Sequence, residues 1–227
     1  MLSSWGIAFE AVDVEANPGA LEELRSLGAR QVPCVVLGEH ILTGWNPKAL
    51  AALVGVSYEE PERLSQEELK RRLDKILGAA QQAMIQVPAE HLGMASPGRR
   101  RTVRNVGYHV FRLSYAFCEA MEKGHFQAEW LLEEAPPEMT DGAAIARYGQ
   151  KVRERLKVWF LHPDPCAGWV AMDSGDQTGY ELLGWTVWHA AHHLRQLYAF
   201  LRLMGKEPLD PLSEESFTGL PMPEDLW

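Results

Sequence analysis

The sequence predicts an α+β chain of two unlike parts, a small β-α-β-β-α segment followed by a four-helix bundle. Three observations carry this expectation. Residues 7–55 alternate short apolar runs with short helical stretches. A polar, acidic, proline-containing stretch follows, and 57–64 within it suits a linker. From 65 to 206 the apolar residues recur at the helical period in four stretches, each about 20 residues long, which is the pattern of a helix bundle. The expected boundaries are therefore 1–56, a linker at 57–64, a bundle at 65–206 and a proline-rich tail at 207–227 that packs on the surface.

In the first part, "IAFEAVDV" (7–14) has strand composition. Residues 16–28 read as a helix, with Pro18 near its first turn, Leu21 and Leu24 on one face, and Gly28 as terminator. "VPCVVLG" (32–38) is a second strand, "HILTG" (40–44) a third, and "NPKALAALVG" (46–55) a second helix. The first two strands need a crossover and would run parallel.

In the second part, Ser65 with Glu68 forms a capping box that opens a helix over 65–86. Its stripe is Leu69, Leu73, Ile76, Leu77, Ala80 and Met84, and Pro88 closes it. The second helix is expected over 99–123, with the stripe Val103, Val106, Val110, Leu113 and Phe117 and a stop at Gly124. Arg99, Arg100, Arg101 and Arg104 open it and read as a solvated basic cluster. The third covers 141–159, with Ile145, Tyr148, Val152, Leu156 and Trp159 on one face, and the fourth runs from Thr178 to Met204.

The composition excludes several function classes. With 46% hydrophobic and 23% charged residues, the 227-residue chain is an ordinary globular one. A net charge of −9 argues against nucleic-acid binding, which draws on a basic surface to release counterions. No window reaches the ~18 apolar residues of a membrane span, and the N-terminus lacks the basic and apolar regions of a signal peptide. The three cysteines, Cys34, Cys118 and Cys166, are odd in number and widely spaced, which disfavours a disulfide framework and leads us to expect a reducing cytoplasm.

"DVEANPGALEEL", "RQVPCVVLGE" and "TGWNPKAL" resemble the glutaredoxin branch of the thioredoxin fold, so that the first part reads as a truncated thioredoxin-like segment. The resemblance implies a cis proline at Val32-Pro33 that presents backbone to a bound thiol. The family's first strand and Cys-x-x-Cys would lie upstream of Met1, and no cysteine pair in the chain has that spacing. These residues cannot build a dithiol oxidoreductase. Cys34 reads instead as a small apolar thiol in a buried strand.

"WHAAHHLRQLYAFL" (188–201) places three histidines within five positions. On a helix, His189 and His193 lie one turn apart on one face, so two ring nitrogens can meet at one ion. A stacked pair of structural histidines fits that spacing equally well. His192 points about 60° away at ~100° per residue. Ala190 stands where a zincin protease needs its glutamate, which removes that reading. His109 lies beside the apolar stripe of the second helix, three after Val106 and four before Leu113. Together the three could form a facial site with open positions. His40, His91, His125 and His162 fall in turns or loops.

"RNVGYHVFRLSYAF" and "WHAAHHLRQLYAFLRLMG" resemble the DinB-like domain over about residues 62–206. That resemblance implies His109, His189 and His193 as ligands of a divalent metal, zinc first, with nickel or manganese also used in the family. It further implies a metal-dependent enzyme, either a thiol S-transferase acting on an electrophilic substrate or a hydrolase, and a homodimer. A non-enzymatic metal-binding or dimerisation module is the remaining alternative. Arg195 and Trp185 are candidate substrate contacts beside Val32 and Pro33, although a salt bridge for Arg195 and a core role for Trp185 and Trp188 are the plainer readings. No general acid or base can be named. Glu90, Asp173 and Asp176 are the acidic candidates, all in loops.

Overall fold

The structure is a computed structural model that describes every residue except 4, 13, 15–16, 30–32, 45, 60–62, 98–100, 173–174, 224–225 and 227. The chain divides into two compact units, Met1–Glu62 and Arg63–Trp227.

In the first unit, α1 (Pro18–Ser26) follows Asn17, whose side chain accepts hydrogen bonds from the Gly19 and Ala20 amides. Strands β1 (Cys34–Leu37) and β2 (His40–Thr43) form an antiparallel hairpin in the register Cys34↔Thr43 to Leu37↔His40. α2 (Pro47–Val54) is capped by Asn46 and ends at Gly55, whose φ of 73° is the left-handed value a C-terminal glycine supplies at little cost. The buried apolar residues here are few and small: Ala20, Ala29, Leu50 and Ala51. Residues 7–12, expected to begin a strand, pair with none, and Phe9 and Val12 are exposed. A strand persists only beside a neighbour that takes up its amides and carbonyls, and none lies there among the described residues. Asp13, the expected end of that strand, and Val32 lie outside the described residues.

The second unit is the bundle, with α3 (Gln66–Ile85), α4 (Val103–Lys123), α5 (Gly142–Trp159) and α6 (Gly179–Leu203). A hydroxyl or carboxylate starts each helix by accepting from the backbone amide three residues on: Ser65 from Glu68, Thr102 from Asn105, Asp141 from Ala144 and Thr178 from Glu181. At Thr178 the Glu181 carboxylate also reaches back, closing a full capping box. Glu68 does not reciprocate; its carboxylate is taken by Arg71 and Arg72. The expected stripes all face the core, with Tyr148 only partly buried, and Phe111, Phe117 and Phe200 are fully buried. Each contributes roughly 2–3 kcal/mol of apolar transfer.

The packing order departs from a simple up-down bundle. α3 and α4 each pack against both α5 and α6, so α3 lies diagonally across from α4, and α5 from α6. Long connections permit this, and the last carries a short antiparallel hairpin, β3 (Trp169–Val170) with β4 (Gln177–Thr178), directly into α6. Close approach needs glycine at Gly142, where a Cβ would stand 1.9 Å from the Met84 carbonyl oxygen.

Two expectations change here. α4 begins at Val103, and Arg101 and Arg104 do not form a solvated cluster. Arg101 donates to the Leu131 carbonyl, and Arg104 to those of Ala135, Pro136 and Met139, so both order the segment after α4. Arg99 and Arg100 are not among the described residues. The tail also does more than cover the surface. Phe217 is buried, and Leu212, Leu220 and Met222 pack on the core. Among the described residues, no helix is long and apolar enough to cross a membrane.

Candidate metal centre

α4 and α6 are neighbours, and each brings histidine to the seam between them. On α4, His109 is flanked by Val106, Val110 and Leu113, all buried, which fixes the facing of its ring. On α6, Thr186, Ala190, Leu194 and Leu197 bury one face and carry His193 inward with them. One ring nitrogen from each of His109, His189 and His193 lies within 4.8 Å of the other two. The His109 ring stands edge-on to both partners, with centroids 5.1 Å from His189 and 4.9 Å from His193. His109 and His193 are buried, and His189 is partly exposed.

Burial drives all three imidazoles to the neutral form, because charging any of them would strand a cation away from water. His189 is pushed down to about 3, by burial first and then by His192 and Arg101. The Arg101 guanidinium, the His189 ring and the Arg112 guanidinium act in the same direction on His109. At neutral pH each ring therefore has one unprotonated nitrogen available as a ligand.

The His193 tautomer can be read from its partners. Gln196 Nε2 donates to the Leu226 carbonyl at 2.6 Å, which turns Gln196 Oε1 toward His193 Nδ1 at 2.5 Å. An amide oxygen only accepts, so Nδ1 carries the proton and the lone pair sits on Nε2. That Nε2 accepts from His189 Nε2 at 2.8 Å, while His189 Nδ1 is buried with no hydrogen-bond partner among the described residues. Three neutral imidazoles with nitrogens gathered at one point, one ring already oriented through its far nitrogen, make a donor set that fits a divalent cation.

The other anticipated residues fall as follows. Trp185 and Trp188 are partly exposed and lie against His189, at centroid distances of 4.8 and 5.8 Å, and Trp185 also packs against the core. Trp185 also meets Phe126 edge-on. Arg195 donates to the Pro223 carbonyl at 2.9 Å. His192 stacks on Trp188 and is outside the three-histidine group. Pro33 is exposed, and its carbonyl accepts from the Gly44 amide. Cys34 is half-buried in a hairpin strand rather than in a buried one, and burial raises its thiol pKa, making it a poor nucleophile. Glu90 sits in a short 3-10 turn, Asp176 is exposed, and Asp173 is outside the described residues. Sequence reasoning gave no role to Gln196, although its position three after His193 places it on the same helix face.

A second buried polar cluster lies on α4. Arg112 pairs with Glu133 at 2.5 Å and Glu119 at 2.7 Å, and the Tyr108 hydroxyl donates to Glu133 at 2.6 Å. Burial raises the Tyr108 pKa, and its bond to Glu133 adds to the rise.

Comparison with known proteins agrees with both parts of the chain. The glutaredoxin family model matches residues 1–41. No curated protein sequence matches significantly. Among solved structures, the chain is similar in fold to YfiT from Bacillus subtilis, described as "a probable metal-dependent hydrolase with an unusual four-helix bundle topology". The match has a TM-score of 0.50 and 19% identity, and covers 67% of this chain and 96% of YfiT. The chain thus joins a glutaredoxin-like segment to a four-helix bundle of this fold that carries a three-histidine cluster.

Proposed function

We propose that the helical unit is a metal-dependent enzyme in which His109, His189 and His193 hold a divalent ion, zinc by preference. The observation that carries this is the gathering of three neutral ring nitrogens from two helices at one point. A bound divalent ion would supply Lewis acidity, lowering the pKa of a thiol or water at its open positions. The histidines act as ligands and not as bases. Gln196 holds His193 in the ligating tautomer. Trp185 and Trp188 flank His189 and offer apolar walls that exclude water from one side of a substrate.

The substrate pair we propose is a low-molecular-weight thiol and an electrophilic carbon compound, joined by S-transfer. The glutaredoxin-like segment supports the thiol, since that family recognises small thiols and residues 1–41 match its model. A homodimer in a reducing cytoplasm belongs to the same reading, and the three free cysteines suit such a compartment. The second reading, hydrolysis with water as nucleophile at the same ligands, is favoured by the description of YfiT.

Elemental analysis of wild type and His193→Ala tests the site: about one equivalent of metal in the first, and its loss without loss of fold in the second. Unchanged metal content in His193→Ala would refute the ligand assignment. Turnover of a model electrophile by zinc-loaded protein, with and without bacillithiol, mycothiol or glutathione, separates the two chemistries. Thiol-independent turnover selects hydrolysis, and absence of any turnover leaves a metal-binding module.

A further inference from the structure

One amide side chain touches both the histidine cluster and the end of the chain. Gln196 accepts from His193 Nδ1 through Oε1 and donates from Nε2 to the Leu226 carbonyl, with His192 Nε2 3.3 Å from the same amide nitrogen. It is not alone in holding this segment. Trp188 Nε1 donates to the Pro221 carbonyl at 2.8 Å, and Arg195 Nη1 to that of Pro223 at 2.9 Å. Positions 188, 195 and 196 share one face of α6, so the C-terminal segment runs along that face in the helix's own direction. Trp188, its first anchor, also stacks on His189.

A primary amide has one acceptor end and one donor end, and here both are committed. If the Leu226 carbonyl leaves, only the longer contact with His192 Nε2 at 3.3 Å is left to select which end of the amide faces His193. Turned over, the amide would present N–H to Nδ1 and favour the opposite tautomer, with the proton on Nε2, where it blocks ligation. We infer that Gln196 is a positioning residue that sets the ligating tautomer of His193, and that docking of the C-terminal segment and metal binding are thereby linked. The metal half rests on the function proposed above; the tautomer half does not. By reciprocity, whatever the docked segment adds to metal affinity, bound metal returns as tighter docking.

Two substitutions in the full-length protein separate the roles. Gln196→Met keeps the length and removes both hydrogen bonds. Gln196→Glu keeps an acceptor for Nδ1–H but has no donor for the Leu226 carbonyl. Nitrogen-15 NMR of the metal-free proteins reads the His193 tautomer, chelator competition reads zinc affinity, and hydrogen exchange reads the C-terminal peptide. Wild type should carry its proton on Nδ1, and added zinc should slow exchange in the peptide. Gln196→Met should lose the tautomer preference, bind zinc about 10–100-fold more weakly and exchange the peptide faster. Gln196→Glu should keep the tautomer and bind zinc at least as tightly as wild type. Its peptide should nevertheless exchange faster, and zinc should no longer slow it. An unchanged tautomer in Gln196→Met, or wild-type peptide exchange in Gln196→Glu, overturns the proposal. Should Gln196→Met fail to fold, the divergence of affinity and exchange in Gln196→Glu decides. If wild type binds no zinc, the metal reading falls, while the tautomer and exchange measurements on metal-free protein still judge the role of Gln196.

Discussion

Two polar clusters interrupt the apolar interior of the bundle, and both use α4. Around Arg112, opposite charges meet: the guanidinium is shared between Glu119 and Glu133, and Tyr108 adds a donor. Donors and acceptors are matched, and the cluster needs nothing from outside. Around His109, three like groups meet, all neutral, with two ring nitrogens face to face and one buried nitrogen unbonded. The first arrangement completes itself; the second leaves a buried ring nitrogen unmatched among the described residues. A buried polar group is costly when unmatched, so the histidine cluster is the one suited to a cation, and the matched cluster is architecture.

The largest effect expected from breaking this contrast is at the histidines. His109→Ala should lower zinc affinity at least 100-fold, measured by chelator competition, while circular dichroism of the metal-free protein keeps its helical signal. The same test on Arg112→Met should leave zinc affinity within about threefold. Its cost should appear in denaturant unfolding instead, as about 1–3 kcal/mol, below the value for a fully buried pair because Glu133 is 40% exposed. Acid should tell the clusters apart in the metal-free protein. Histidines held neutral in the fold and free to protonate when unfolded give a native state that binds fewer protons. Stability is then full above the ordinary histidine pKa near 6.5 and falls as pH drops toward about 3. Each such histidine contributes at most about 1.4 kcal/mol per pH unit to that slope. Urea unfolding between pH 7 and 4 measures it, and removing His189 should make the slope shallower. Outside both clusters, Gly142→Ala should cost about 2–3 kcal/mol in thermal unfolding, because its Cβ meets backbone that cannot yield. The smallest effect is at the α6 cap, where Thr178→Ala should cost about 1 kcal/mol and leave metal affinity unchanged.

Legibility in the sequence followed the range of the interaction. Helix starts at Ser65, Asp141 and Thr178 and stops at Gly55 and Gly124 are decided within four residues, and periodicity alone marks the stripes from Leu69 to Met84 and from Val103 to Phe117. His189 and His193 were legible as a pair for the same reason. What escaped depends on distant partners. Arg104 reads as a surface charge until the carbonyls of Ala135 and Met139 are seen to lie against it. Arg195 suggested a salt bridge or substrate contact, but its described partner is a carbonyl 28 residues later. Trp185 and Trp188 looked like core because large aromatics usually are; Trp185 does pack on the core, but helix rotation places both over His189. The apolar run at 7–12 has strand composition, yet pairing needs a neighbour that composition does not supply.

The diagonal placement of α3 from α4, and of α5 from α6, also bears on how the molecule assembles. α3 and α4 cannot zip together as a hairpin, because each is packed chiefly against helices that come later in the chain. The native core therefore waits for α5 and α6, and its contacts span long stretches of sequence, which slows the search. His109 must wait for residues 80 positions further on, at His189, before a site exists at all. A nascent chain that has made only its first two long helices holds one of the three site imidazoles, His109, and no centre. Metal capture at the proposed site would thus report that the last helix has docked.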